Sequence, residues 1–229
     1  MASDFDGTLA PIVSNPADAR ALPHAAEALV ALANVARTSV VLVSGRALAT
    51  LRELSAMPPT VHLVGSHGAE LDTGFANPID TELLERITAE LTAIAAGRPG
   101  VAVEAKPASV ALHVRNATAA DGAAALDAAR AASESWDAEQ TAGKAVLEFA
   151  VVTTDKGAAV DALREQLGAT AAVFFGDDVT DEKAFRRMRK ADVGVKVGDG
   201  DTLAAFRVKT PADVAAALTH LLELRQDNI

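Results

Sequence analysis

The chain contains no cysteine. Disulfides, thiolate nucleophiles, zinc knuckles and iron–sulfur clusters are excluded together. It also has no tyrosine and one tryptophan, and aromatic residues make up 3% of it. Sites that hold bases by aromatic stacking are therefore poorly supplied, and the core has to be built from Ala, Val, Leu and Ile. Positive charge is scarce: 21 Lys and Arg face 31 Asp and Glu, a net −10. Such a surface repels phosphate backbones and anionic lipid, so no nucleic acid and no membrane is expected as a partner. A local cationic or metal site could still hold a small anion. No apolar run approaches the ~18 residues a membrane span needs. The first residues, Met1-Ala2-Ser3-Asp4, are neither a basic nor an apolar leader. A soluble cytoplasmic monomer is expected.

What is present is apolar material in quantity. Half of the 229 residues are hydrophobic, enough for a sizeable core and for one large or two small domains. Periodicity predicts an alternation of helices and strands. The first part reads as helix His24 to Arg37, strand Ser39 to Val43, helix Leu48 to Ser55 and strand Val61 to Val64. The last part reads as helix Gly157 to Leu167, strand Ala171 to Phe175, helix Asp181 to Lys190, strand Val193 to Val197 and helix Pro211 to Leu224. Continuous apolar strands between helices mean an α/β fold with a parallel sheet covered on both faces. The middle is different: helix Thr81 to Ala96, strands Val101 to Glu104 and Val110 to Arg115, helix Ala119 to Ala132, strands Ser135 to Gln140 and Lys144 to Phe149. Strands joined by short turns favour an antiparallel sheet with helices on one side. A second, α+β domain inserted between Asp72 and Thr153 is expected.

Four segments carry chemistry. In Asp4-Phe5-Asp6-Gly7-Thr8-Leu9, extended backbone sends Asp4 and Asp6 to the same side, and Gly7 lets the chain turn at once. Two carboxylates so placed can share a cation and divide nucleophilic and acid–base work. The plain alternative is an acidic turn after a strand. In Gly176-Asp177-Asp178-Val179-Thr180-Asp181-Glu182, hard oxygen donors cluster between a strand and a helix. That suits Mg2+, whereas a helix cap from Thr180 or Asp181 needs one acid only. Ser44, followed by Gly45 and Arg46, ends an apolar strand, where a hydroxyl and backbone N–H groups can hold a phosphate oxygen or merely cap the next helix. Lys156 opens a helix against its dipole, or is simply a surface lysine.

Together, and in this order, the four segments resemble the haloacid-dehalogenase-like phosphatases. The flanks Gly65-Ser66-His67-Gly68-Ala69-Glu70 and Gly176-Asp177-Asp178-Val179-Thr180-Asp181-Glu182-Lys183-Ala184-Phe185 narrow this to the trehalose-6-phosphate phosphatases. So do Glu104-Ala105-Lys106-Pro107-Ala108-Ser109 and His113-Val114-Arg115, which look like that family's E-x-K-x-x-S…H-x-R signature. The resemblance implies a Rossmann-like haloacid-dehalogenase-like core from residues 1–72 and 153–229 and an inserted cap from 73–152 that sets specificity. It implies hinges at Leu71 to Gly74 and Val152 to Asp155, through which the cap closes and excludes water.

On the same resemblance Asp4 is the nucleophile and Asp6 the acid and base. Ser44 and Lys156 hold the phosphoryl oxygens. Asp4, the Asp6 carbonyl and Asp177 hold Mg2+, with Asp178 or Asp181 in support. Gly45 and Arg46 complete the phosphate loop, and Glu104, Lys106, His113, Arg115 and Glu148 are the candidate sugar contacts. Each of these five also has a plain reading as a solvent-facing strand residue, with Glu104 and Lys106 on one face and His113 and Arg115 on one face. His67 is either structural or part of the sugar pocket, and Trp136 reads as cap core.

The expected activity is Mg2+-dependent hydrolysis of trehalose 6-phosphate through an aspartyl-phosphate. Alternatives are a phosphatase for sucrose 6-phosphate or a mannosyl phosphate, a phosphotransferase, and a non-catalytic sugar-phosphate-binding regulator. Two departures from the family pattern stand out. Only Met1, Ala2 and Ser3 precede Asp4 where the family has a central apolar strand, which suggests a trimmed start. Glu148 is followed by Phe149-Ala150 rather than Arg-Pro.

Overall fold

The structure is a computed structural model that describes residues 1–71, 78–152 and 155–227, together with the backbone of 74–75. The expected crossing points, Asp72 and Thr153, lie outside the described residues, as do parts of both expected hinges. The chain divides into two compact units, Met1–Gly74 with Thr154–Ile229, and Phe75–Thr153.

The first unit opens with β1 (Ala2–Ser3), a 3-10 turn at Pro16–Asp18, α1 (Pro23–Ala33), β2 (Val40–Val43), α2 (Leu48–Ser55) and β3 (Val61–Val64). A 3-10 turn at Ser66–Gly68 leads to two short strands, β4 (Glu70–Leu71) and β5 (Gly74–Phe75). The second unit continues with α3 (Thr81–Ala95), β6 (Ala102–Ala105), β7 (Ser109–His113), α4 (Ala119–Ser133), β8 (Glu139–Gly143) and β9 (Val146–Ala150). The chain then re-enters the first unit with α5 (Lys156–Gln166), β10 (Val173–Gly176), α6 (Val179–Arg186), β11 (Val193–Val197), β12 (Phe206–Val208) and α7 (Pro211–Gln226).

The first unit is a parallel six-stranded sheet in the order β12-β11-β10-β1-β2-β3. Alternation along each strand feeds two apolar layers. Val40, Leu42 and Phe175 pack with Leu29 and Leu218 on one face, and Val41, Val43 and Phe174 pack with Val160 and Phe185 on the other. This is why the strands read as unbroken apolar runs. The short start does not remove the central strand: Ala2 pairs with Phe174 and Val41, and Ser3 with Phe175 and Leu42. Strand order runs outward in opposite directions from β1, so the carboxyl ends of β1 and β10 border the crevice where open α/β sheets place their sites.

The second unit is an antiparallel sheet in the order β6-β7-β9-β8. Val110, Leu112, Leu147 and Phe149 face Ile87 and Leu91 of α3, Ala125 and Ala129 of α4, and Trp136. Trp136 meets Phe149 edge-on at 4.8 Å, as expected of a core residue. On the opposite face the register sets Glu104 beside Ala111 and Ala111 beside Glu148.

Several boundaries differ from the sequence reading. The strand expected over Ser135 to Gln140 begins at Glu139, because Trp136 is drawn into the core instead. The following strand begins at Val146 rather than Lys144, because Lys144 and Ala145 form the hairpin turn with Ala145 at φ 61°. Strand β7 ends at His113, so Arg115 lies exposed in a turn and does not share a strand face with His113. Strand β12 was not anticipated; at three residues, Phe206-Arg207-Val208, this largely exposed edge strand is too short to show a period.

Candidate active site

Asp4 follows β1 directly, and its N–H donates to the Phe175 carbonyl at 2.9 Å, so the central strand and its neighbour fix where the carboxylate stands. Asp4 is 4% exposed and Lys156 3%. Lys156 Nζ donates to Asp4 Oδ1 at 2.6 Å and to Asp181 Oδ1 at 2.7 Å. Burial alone would push this ammonium down, but Asp181 and Asp4 reverse that and hold its pKa well above the ordinary lysine value. Burial, reinforced by Asp181 and Asp177, raises Asp4 against the pull of Lys156. Asp177 is pushed up to about 6, first by burial and then by Asp181.

Asp181 is the organiser of the acidic loop. Its Oδ2 accepts the N–H groups of Asp177 and Asp178, both at 2.9 Å. Helix α6 therefore begins at Val179 and not at Asp181, with Asp178 as its N-cap, accepting the Val179 N–H at 2.7 Å, and Asp181 closing a capping box. The Asp178 carboxylate is exposed and turned onto this cap. Thr8 Oγ1 donates to Asp177 Oδ1 at 3.3 Å. Gly7, at φ 79°, is required twice over: it permits the turn, and a Cβ there would stand 2.0 Å from Asp177 Oδ2.

Ser44 is buried at the end of β2. Its N–H donates to the Val64 carbonyl at 2.9 Å, and its Oγ accepts the Arg46 N–H at 3.1 Å, which leaves the hydroxyl hydrogen to point elsewhere. Gly45 lets the His67 ring lie against the loop, since a Cβ would meet it at 2.4 Å. His67 is half-buried with φ 55°, next to Ser66 at φ 48°, a left-handed pair for which the His67 N–H bond to the Ser44 carbonyl, at 2.9 Å, is an anchor. Arg46 turns its guanidinium onto Asp6, Nε to Oδ2 at 2.6 Å and Nη2 to Oδ1 at 2.7 Å.

Sequence reasoning missed three supports. Glu70 Oε2 accepts the Leu48 N–H at 2.8 Å and the Ser66 hydroxyl at 2.7 Å, capping α2. Lys196, 5% exposed, donates its Nζ to the Asp177 carbonyl. The Arg46–Asp6 pair is the third. Lys196 had a signal, a lysine within the apolar strand Val193 to Val197, and Glu70 had one in the Gly65 to Glu70 motif; the Arg46–Asp6 pairing, across 40 positions, had none.

The donor set can be tested against a divalent cation. Oxygen atoms of Asp4, Asp177 and Asp181 lie within 4.8 Å of one another. Three carboxylates around one ammonium leave two negative charges to be balanced, and hard oxygen donors suit Mg2+. Asp181 Oδ2 already accepts two backbone N–H groups and its Oδ1 accepts Lys156, so Asp4 and Asp177 would be its more open neighbours for direct ligation. The residues fit such an ion.

In the second unit, Lys106 Nζ lies 3.0 Å from both Glu148 oxygens, and Ser109 Oγ donates to Glu148 Oε1 at 2.6 Å. His113 Nε2 is 2.8 Å from Glu104 Oε2. Four of the five candidate sugar contacts thus form two ion pairs within this unit, and Arg115 stands apart from them.

A parallel sheet with paired acids at the end of its central strand, interrupted by an α+β insert, is the haloacid-dehalogenase-like fold. The fold is that of a haloacid dehalogenase-like hydrolase from Bacteroides thetaiotaomicron, with a TM-score of 0.72 at 14% identity over 96% of this chain and 98% of that one. The family is narrower: the model for the trehalose-phosphatase family matches residues 2–212, and the chain belongs to that family. It is 36% identical to a trehalose-phosphate phosphatase of Mycobacterium avium (strain 104) across 93% of its own length. It spans 59% of that relative's length. A solved trehalose-6-phosphate phosphatase related protein superimposes with a TM-score of 0.84 at 24% identity, over 100% of this chain and 99% of that one, a likeness of fold. No helix among the described residues is long and apolar enough to cross a membrane.

Proposed function

We propose that the chain is a Mg2+-dependent phosphatase that hydrolyses trehalose 6-phosphate. The observation that carries this is the buried Asp4–Lys156–Asp181 chain of ion pairs with Asp177 beside it. A structural ion pair needs one acid for one base, and burying more is costly unless the charge is used.

In this reading the Asp4 carboxylate attacks phosphorus and forms an aspartyl-phosphate as the bond from phosphorus to the sugar oxygen breaks. Asp6 gives a proton to that oxygen. Asp6, now a carboxylate, takes a proton from the water that attacks the aspartyl-phosphate, and phosphate leaves with Asp4 regenerated. The Ser44 hydroxyl and the Lys156 ammonium hold the phosphoryl oxygens, and Lys156 keeps Asp4 and Asp181 from repelling them. Asp4, Asp177 and the Asp6 carbonyl would hold Mg2+, which when bound offsets the charge of the phosphoryl oxygens.

Magnitudes rank the roles. Accelerations of phosphate-monoester hydrolysis reach ~10²¹, of which general acid–base catalysis supplies about 10² to 10⁴. Positioning and charge stabilisation must supply most of the rest.

Sugar selection is assigned to the second unit, whose paired Lys106, Glu148, Glu104 and His113 offer donors and acceptors to a polyhydroxyl ligand. The name of the Mycobacterium avium relative supports trehalose 6-phosphate over other sugar phosphates. The test is release of inorganic phosphate from trehalose 6-phosphate, sucrose 6-phosphate and glucose 6-phosphate, each with Mg2+ and with EDTA. Release confined to trehalose 6-phosphate and silenced by EDTA is expected. Release from all three would remove the specificity and keep the chemistry, and release from none would remove both.

A further inference from the structure

We propose that Arg46 is a positioning residue for proton transfer, and that it acts by holding the Asp6 carboxylate in one orientation rather than by binding substrate. The proposal rests on the phosphatase reading above.

The geometry is specific. Both Asp6 oxygens are taken by one guanidinium, at 2.6 and 2.7 Å. The arginine side chain is 16% exposed and the aspartate 32%, so solvent reaches the acid more than its partner. Arg46 is itself anchored on every side. Its Nη2 also donates to the Pro16 carbonyl at 2.9 Å. Its own N–H donates to Ser44 Oγ at 3.1 Å, and its carbonyl accepts the Ser66 N–H at 2.7 Å. Its guanidinium carbon lies 6.0 Å from the centroid of the fully buried Phe5 ring. One residue therefore links the phosphate-holding serine to the acid two places beyond the nucleophile.

An aspartate has two rotatable side-chain bonds, and a partly exposed one samples several rotamers unless it is held. Proton transfer has to serve two oxygens in turn on the same side of phosphorus, that of the leaving sugar and that of the attacking water. A carboxylate offers about four acceptor sites. Arg46 occupies one on each oxygen and leaves the other on each for the proton in transit. A planar fork fixes the plane of a carboxylate in a way a lysine cannot.

The proposal separates from a structural or a substrate-binding role through the leaving group. An alkoxide such as the sugar oxygen needs protonation as it departs, whereas p-nitrophenolate leaves without it. The experiment measures kcat/KM, which reports phosphorylation of Asp4 alone, for trehalose 6-phosphate and p-nitrophenyl phosphate in wild type, R46M, R46K, D6N and the R46M/D6N double variant. R46M is expected to lose about 10²-fold on trehalose 6-phosphate and less than ~5-fold on p-nitrophenyl phosphate, with KM unchanged. R46K, which keeps the charge without the fork, is expected to lose less and on the same substrate only, and it carries the comparison if R46M does not fold. In the D6N background R46M is expected to add no further loss. Equal losses on both substrates, or a rise in KM for the sugar phosphate with kcat intact, would overturn the positioning role. A folded wild type silent on both substrates would instead overturn the phosphatase reading, and this role with it.

Discussion

The two units handle charge in opposite ways. In the first, the Lys156, Asp4 and Asp181 side chains are 3%, 6% and 0% exposed, and their carboxyl and ammonium groups bond one another. In the second, Lys106 and Glu148 are 14% and 17% exposed and His113 and Glu104 are 41% and 53%. Low dielectric magnifies each interaction in the first unit, and makes every one of its charges expensive to leave unbalanced. The pairs of the second unit are more accessible to water, so each is screened more and costs less to build. On the proposed function, bond-breaking would use the first arrangement and selection among sugars the second.

The comparison breaks most sharply at Asp4, the proposed nucleophile. Asp4→Asn is expected to reduce turnover by about 10⁶-fold, the scale at which removal of a covalent nucleophile erases the step. Ser44→Ala removes one donor among several and should cost about 10² to 10³. Steady-state phosphate release distinguishes them, and equal, complete loss in both would contradict the division of roles.

Asp177 sharpens the comparison on stability. With its pKa raised from 3.8 to about 6 in the folded chain, the folded state holds the proton more tightly than the unfolded one. Its contribution is complete below about pH 4 and is lost as pH rises through about 6, a cost of about 3 kcal/mol at neutral pH. Asp177→Asn should therefore raise the thermal midpoint of the metal-free protein at pH 7 and leave it unchanged near pH 4, while abolishing activity. Added Mg2+ should stabilise the wild type at pH 7 and the variant much less. A variant less stable than wild type at pH 7 without metal would count against the buried-charge account.

The smallest effect belongs to the second unit. Lys106→Ala removes the cation from a largely buried pair and should cost about 1 to 3 kcal/mol of stability, more than a surface pair. It should raise KM for trehalose 6-phosphate by roughly tenfold and leave hydrolysis of p-nitrophenyl phosphate untouched. An equal effect on both substrates would remove the recognition role.

Much of this was legible in the residues alone. The parallel sheet and the antiparallel insert could be read because apolar periodicity is local, and helix α2 and strands β3 and β11 match their expected spans residue for residue. The four chemical segments were legible because each is short and continuous. Strand β12 was not, because three residues are too few for a periodic signal, and the limits of β8 and β9 were not, because Trp136 is drawn into the core and the chain turns at Ala145. The cap of α6 is not decided by residue type: Asp178, Thr180 and Asp181 are all good cap residues, and Asp178 takes the position with Asp181 closing the box from inside the helix.

The chain by itself determines that acids stand at positions 4, 6, 177, 178 and 181, that a hydroxyl ends β2, and that a lysine opens α5. Which of them meet was decided by tertiary structure. Lys156 reaches Asp4 across 152 positions, Thr8 reaches Asp177 across 169, and Arg46 reaches Asp6 across 40. Such pairs depend on strand order and on the placing of β1 between β10 and β2, which only the burial of both sheet faces together can select.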